Sequence, residues 1–172
     1  RDPELKQLSQ MRLGIIRMRM RDDYPQSAKW FKLAKRGPDE KMRLESAYRY
    51  AIVLGYMGQY EKASRLMDAL APKLSGRRQR NARYQVGRLL HEAGLFERAI
   101  AKHEPFVAKV GGDRPKWRWF LGWSHYRSSD CGRSRTVFSR LAGHRNTLIG
   151  PKALYWTARC QRLKGQLDEA NQ

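Results

Sequence analysis

A pattern that returns every 35 or 36 residues limits this chain to very few folds. Four copies stand out: AYRYAIVLGYMGQYEKA at 47–63, ARYQVGRLLHEAGLFERA at 82–99, WRWFLGWSHYRSSDCGRS at 117–134 and ALYWTARCQRLKGQLDEA at 153–170. Aligned on their last small residue (Ala63, Ala99, Ser134 and Ala170), they step by 36, 35 and 36 residues. Twelve positions earlier each copy has another small residue, Ala51, Gly87, Gly122 or Ala158. Fifteen positions earlier each has an aromatic, Tyr48, Tyr84, Trp119 or Tyr155. Three registers held over four copies are the signature of a helical repeat. A small residue inside a helix lets a neighbour approach closely, and the aromatic three positions before it lies on nearly the same face.

Between the two small residues sits a turn: Gly58-Gln-Tyr-Glu, Gly94-Leu-Phe-Glu, Ser129-Asp-Cys-Gly and Gly165-Gln-Leu-Asp. Three of these open on glycine, which best tolerates the left-handed conformation that ends a helix. Glu61, Glu97 and Asp168 then fall in the first turn of the next helix, where the dipole favours an acid. Pro115 and Pro151 stand where a first helix begins, a position that suits proline. Each unit therefore reads as helix, tight turn, helix. A weaker fifth copy precedes these, with Ala28 lying 35 residues before Ala63 and Asp23-Tyr24-Pro25 as its turn. No strand-like alternation occurs. The expectation is all-α: a tetratricopeptide-like α-α superhelical solenoid of four to five units, at about 4–36, 40–73, 77–110, 114–145 and 150–172. To match its siblings, the last unit would need roughly ten more residues. The chain thus reads as part of a longer protein.

Charge is the second strong feature. Thirty-six Lys and Arg against 16 Asp and Glu leave a net charge of +20 over 172 residues. Such an excess favours polyanions, whether nucleic acid, anionic lipid or the acidic polymers of a cell envelope, but does not choose among them. No apolar run is long enough to cross a bilayer. Cys131 and Cys160 lack metal-ligand spacing. If adjacent units stack, the two can meet as a disulfide in an oxidising compartment; otherwise they act as small buried hydrophobes. His91, His103, His125 and His144 show no metal-ligand pattern, and no phosphate loop or nucleophilic triad appears. No cofactor, metal or catalytic residue is expected.

The last two copies carry a narrower likeness. The stretch from Trp119 through Cys131 to Phe138, and Gly150-Pro-Lys-Ala-Leu-Tyr-Trp-Thr-Ala-Arg-Cys through Gly165-Gln-Leu-Asp-Glu-Ala170, resemble the non-catalytic helical region of bacterial soluble lytic transglycosylases. That resemblance covers about a third of the chain. It implies a periplasmic scaffold preceding a lysozyme-like domain that cleaves peptidoglycan. The catalytic domain is not in these residues. Glu45-Ser46 looks like the family's catalytic Glu-Ser, but Arg49-Tyr-Ala-Ile-Val-Leu-Gly follows it, the body of a repeat. A general acid needs a walled cleft, so Glu45 reads as a surface residue without a catalytic role.

In tetratricopeptide repeats the first helix of each unit lines the concave wall. Carried over register by register, that resemblance implies Tyr84, Arg88, Trp119, Trp123, Tyr126, Tyr155, Arg159 and Arg162 as binding residues. Rings stack on sugars or bases, and guanidinium groups fork onto carboxylate or phosphate. The competing reading of the repeated aromatics is packing between helices. Three functions stay open. The first is an envelope scaffold holding peptidoglycan or a protein partner. The second is a general peptide-binding adaptor. The third is an RNA-binding helical repeat, which the large aromatics early in the first helix disfavour.

Overall fold

The computed structural model describes residues 2–20, 23–110, 115–143 and 148–163. Among them are nine α-helices and no strand: α1 (Pro3–Arg19), α2 (Tyr24–Ala34), α3 (Glu40–Tyr56), α4 (Tyr60–Leu70), α5 (Gly76–Glu92), α6 (Phe96–Val110), α7 (Pro115–Arg127), α8 (Cys131–Ala142) and α9 (Gly150–Leu163). A short 3-10 turn, Ala71–Lys73, follows α4. The chain forms two compact units, residues 1–89 and 90–172. The fold is an all-α helical repeat of the tetratricopeptide type.

The turns between paired helices share one hydrogen-bond scheme. After α3 the Gly58 N–H donates to Gly55 C=O (3.1 Å) and the Gln59 N–H to Leu54 C=O (2.9 Å). After α5, Gly94 and Leu95 repeat this onto His91 and Leu90, both at 2.9 Å. After α7, Ser129 and Asp130 repeat it onto Tyr126 (3.1 Å) and His125 (2.9 Å). This paired closure satisfies carbonyls that a helix end otherwise leaves open, and it needs a left-handed residue. The φ values are +73° at Gly58, +77° at Gly94 and +65° at Ser129. Ser129 therefore holds the glycine conformation with a side chain attached. The fourth expected turn, at Gly165, lies outside the described residues, as do Asp168 and Ala170. Pro115 opens α7, whereas Pro151 is the second residue of α9.

The first copy has a register the sequence reading misplaces by one. The second helix of each pair begins three residues before its small residue: Tyr60 before Ala63, Phe96 before Ala99, Cys131 before Ser134. By the same rule, α2 begins at Tyr24 and its small residue is Ser27, 36 before Ala63, not Ala28. Tyr24 and Pro25 belong to α2 rather than to the turn. Side-chain chemistry agrees. Ser27 Oγ donates to Gly14 C=O (2.8 Å) just as Ser134 Oγ donates to Gly122 C=O (3.0 Å). Four residues beyond each serine, Phe31 and Phe138 lie fully buried over those glycines. A Cβ on Gly14 would stand 2.7 Å from the Phe31 ring, and one on Gly122 2.9 Å from the Phe138 ring. The register failed because Gly14 lies 13 residues before Ser27, whereas Gly122 lies 12 before Ser134.

In the first unit, α1, α2 and α3 close around Ala28, Phe31, Tyr50, Val53 and Leu54, with Leu89 of α5 against Gly55. The α2–α3 connection is clamped by Gln7, a polar side chain only 1% exposed. Its Nε2 donates to Ala34 C=O (3.0 Å) and Asp39 C=O (3.1 Å), and its Oε1 accepts from Asp39 N–H (2.9 Å). Asp39 in turn caps α3, Oδ1 accepting from Met42 N–H (2.6 Å). Burying an amide is tolerable because all three bonds are made. In the second unit, Phe138, Leu141 and Ala153 form a core wrapped by Trp119, Trp123, Ile149 and Trp156.

Candidate functional site

Helices α7 and α9 of the second unit bring most of the sequence-expected residues to one place. Trp119 and Trp123, one turn apart on α7, stack at 5.8 Å between ring centroids. Trp123 meets Trp156 edge-on at 4.3 Å, Tyr126 meets Trp156 at 4.7 Å, and Tyr155 meets Trp156 at 5.1 Å. Trp119 also lies 5.2 Å from Phe138, so the cluster is rooted in the core. Its outer side is open: Tyr155 is 55% exposed and Arg159 is exposed.

Arg159 completes the cluster. Its Nε donates to Tyr126 Oη (2.8 Å), its Nη1 to Tyr155 Oη (3.3 Å), and its guanidinium lies 5.8 Å from the Trp156 ring centroid. The two phenol hydrogen bonds push its pKa above the ordinary arginine value. Two of its five N–H donors are thereby used, which leaves the others for an incoming acceptor from a guanidinium already held in place. Arg162, one turn further along α9, is exposed.

Trp156 is the residue the sequence reading missed. It stands beside Tyr155 in the quoted Tyr-Trp-Thr-Ala-Arg run, but the registers carried over lie 15, 11 and 8 residues before the small residue, and Trp156 falls between them. Tyr84 needs the opposite correction. It is 5% exposed, so it cannot present a ring to a partner. Tyr48, in the same register, is also buried and takes a hydrogen bond from Asn81 Nδ2 on α5. Of this register, Tyr48 and Tyr84 are thus buried, Trp119 is half-buried against Phe138, and Tyr155 is exposed. Arg88 lies half-buried, its Nε donating to Gln85 Oε1 at 2.7 Å.

Two further expectations meet a different outcome in the structure. Cys131 and Cys160 are buried thiols and not a disulfide: Cys131 opens α8 and Cys160 sits in α9, each filling a small packing site. Glu45 is not a surface residue. Its side chain is 12% exposed and bound by Arg49 Nε and Arg78 Nη1, both at 2.6 Å. Held by one guanidinium group of its own helix and one of α5, Glu45 ties α3 to α5. Among the described residues no cluster of His, Cys, Asp and Glu could hold a metal, and no helix is long and apolar enough to cross a membrane.

His91, His103 and His125 are buried, and His144 lies outside the described residues. His91 is flanked by Phe96 and Phe120 at 5.4 and 5.5 Å, and its Nδ1 lies 2.9 Å from Ser124 Oγ. The Ser124 hydroxyl donates to Phe120 C=O (2.8 Å), so it accepts from His91, which assigns the Nδ1–H tautomer. Burial, then the Arg127 charge, then His103, hold His91 down to a pKa of about 4. Burial also lowers His125, partly countered by Asp130 and Glu104.

A tetratricopeptide-repeat family model matches residues 121–171. No curated protein matches the chain. Among solved structures, MamA of Desulfovibrio magneticus RS-1 is similar at 17% identity and a TM-score of 0.77, covering 96% of this chain and 89% of that one. The nearly identical TPR-like repeats of a candidate kinesin light chain from Podosopora anserina align at 16% identity and 0.71, covering 95% and 89%. The Rap conjugation regulator of plasmid pLS20, solved with the Phr* peptide, aligns at 16% and 0.61, covering 94% of this chain and 49% of that one. The shared property is the fold.

Proposed function

We propose that this chain is a binding module that captures a protein partner through the ring-and-arginine surface of α7 and α9. The observation that carries this reading is Arg159, exposed yet anchored by Tyr126 and Tyr155 beside the clustered rings of Trp119, Trp123 and Trp156. Large aromatic side chains give contact area at low entropy cost, and a pre-positioned guanidinium adds direction toward a carboxylate. The net charge of +20 steers acidic partners toward the chain. The occupant that fits is an acidic peptide segment carrying an aromatic or aliphatic residue next to its Asp or Glu. The same fold holds a peptide in the Rap regulator, which supports a peptide rather than a small metabolite at this surface. Selection from a random peptide library tests the reading. Enriched sequences should pair an acid with an apolar residue and lose binding to Arg159→Gln. Enrichment of basic or featureless sequences counts against it.

A finer reading makes this surface part of a lytic transglycosylase-like envelope scaffold in the periplasm. Its support is the resemblance around Tyr155-Trp-Thr-Ala-Arg and the flat indole faces, which also suit sugar rings. Retention on insoluble peptidoglycan in moderate salt, lost on Tyr155→Ala, favours that reading. Passage through unretained removes it. RNA capture would instead show steep salt dependence.

A further inference from the structure

Helix α1 is apolar on two faces, and only one of them is covered. Met11, Ile15 and Met18 pack on the core of the first unit, with Gly14 under Phe31 and Gln7 in its clamp. On the other side Leu5, Ser9, Leu13, Ile16 and Met20 follow at steps of four, four, three and four, which lines them up as one stripe. Leu5, Ile16 and Met20 are each more than half exposed, and Leu13 more than a third. Ser9 does not break the stripe, because its hydroxyl donates to Leu5 C=O of the same helix (2.9 Å). A helix with apolar residues on opposite faces ordinarily has both of them covered.

Cations border the stripe on both sides. Arg12 and Arg19 flank it on one side, Lys6 and Arg17 on the other, and all four are exposed. Among the described residues no carboxylate pairs with Lys6, Arg12 or Arg19; Arg17 meets Asp23 at 2.8 Å. The acids of the helix end stay out of the way. Asp2 is turned onto the Glu4 N–H (2.8 Å), and Glu4 stands on the side of the helix away from the stripe.

We propose that α1 lies on an anionic lipid bilayer, with its stripe at the boundary between headgroups and acyl chains. An apolar band between two rows of Lys and Arg is the pattern of an interfacial helix. The cations reach lipid phosphates while their aliphatic stems widen the band. The stripe runs for about 25 Å, and a continuous anionic surface meets cations along all of it without any particular spacing. A second copy of this chain is the poorer occupant, since its own charge of +20 would face these cations.

Cosedimentation of the full chain with vesicles of equal parts phosphatidylcholine and phosphatidylglycerol tests this, against vesicles of phosphatidylcholine alone. Binding is expected to the anionic vesicles only, and it should weaken as salt rises. Replacing both Arg12→Gln and Arg19→Gln should weaken it about tenfold or more. Ile16→Gln leaves the net charge unchanged and should also weaken it about tenfold, the loss of one buried aliphatic side chain. These sites are exposed, so the variants should keep their Tm. A polarity-sensitive dye on Ser9→Cys should shift to the blue on the anionic vesicles, the native thiols being buried. Full binding by Ile16→Gln, or an unshifted dye, would mean plain adsorption of a basic protein and overturns the proposal. Equal binding to both kinds of vesicle, or binding to neither, overturns it too. Self-association that Ile16→Gln abolishes, without vesicle binding, would give the face to a second copy instead.

Discussion

Ser129→Gly should make the protein more stable. Ser129 occupies the left-handed position of a helix-ending turn at φ +65°, where the equivalent turns have Gly58 and Gly94. Holding a residue with a Cβ in that region costs roughly 1–2 kcal/mol. Glycine gives back about 0.4–1 kcal/mol through the greater freedom of the unfolded chain. The net gain is about 0.5–1 kcal/mol, equivalent to a rise of roughly 1–4 °C in Tm for a chain of this size. Gly94→Ala is the mirror experiment. A Cβ there meets no atom within 4 Å, so any loss reports the backbone conformation alone. Urea unfolding followed by tryptophan fluorescence suits the measurement, because Trp117, Trp119, Trp123 and Trp156 all lie in the unit that contains Ser129. The reasoning fails if the Ser129→Gly midpoint stays or falls, or if Ser129→Ala raises it as much as glycine does.

Gly122→Ala should destabilise the second unit, since crowding Phe138 costs about 1–3 kcal/mol and outweighs the roughly 0.5–1 kcal/mol gained in helix propensity. Shortening Phe138 to Leu in the same chain should lessen the loss, read as a smaller shift in urea midpoint. Gln7→Leu should cost about 2–3 kcal/mol by leaving the Asp39 N–H and its neighbouring carbonyls without partners; chemical denaturation measures it. Acidification should weaken the second unit through His91. The native imidazole stays neutral down to about pH 4, whereas the unfolded one takes a proton near 6.5. Stability is therefore full above pH 6.5, falls as pH drops toward 4 and levels below it, by about 1–2 kcal/mol once residual solvent screening is allowed for. His91→Phe should flatten that slope in a series of urea midpoints across pH.

Most of the architecture was legible because packing imposes it at fixed intervals. The small residues Ala51, Gly87 and Gly122 are buried where the period places them, and Gly58 and Gly94 end helices as their type demands. What stayed hidden has physical causes. Ser129 stands at the turn that the period assigns, but as a serine it gives no sign of the left-handed backbone it holds. Gly14 escapes the register by one residue because α1 pairs with α2 at a spacing of 13 rather than 12. Gln7 shows no pattern at all: its role comes from the backbone groups of Ala34 and Asp39, which are remote in sequence. Burial separates Tyr84 from Tyr155, two residues of one register, and a repeat period is blind to it. Trp156 was visible as a tryptophan, but only the meeting of α7 and α9 shows it at the centre of the rings.

The most direct test of the binding role is the affinity of a library-selected acidic peptide for the wild-type chain and for Arg159→Gln. Arg159 is exposed, so the variant should keep its Tm. The account predicts that Kd weakens by about ten- to a hundredfold, the loss of one charge-assisted carboxylate pair. It also predicts that the peptide quenches tryptophan fluorescence in the wild type. An unchanged Kd in Arg159→Gln, or tight binding that leaves the tryptophans untouched, would place the partner elsewhere and contradict the account.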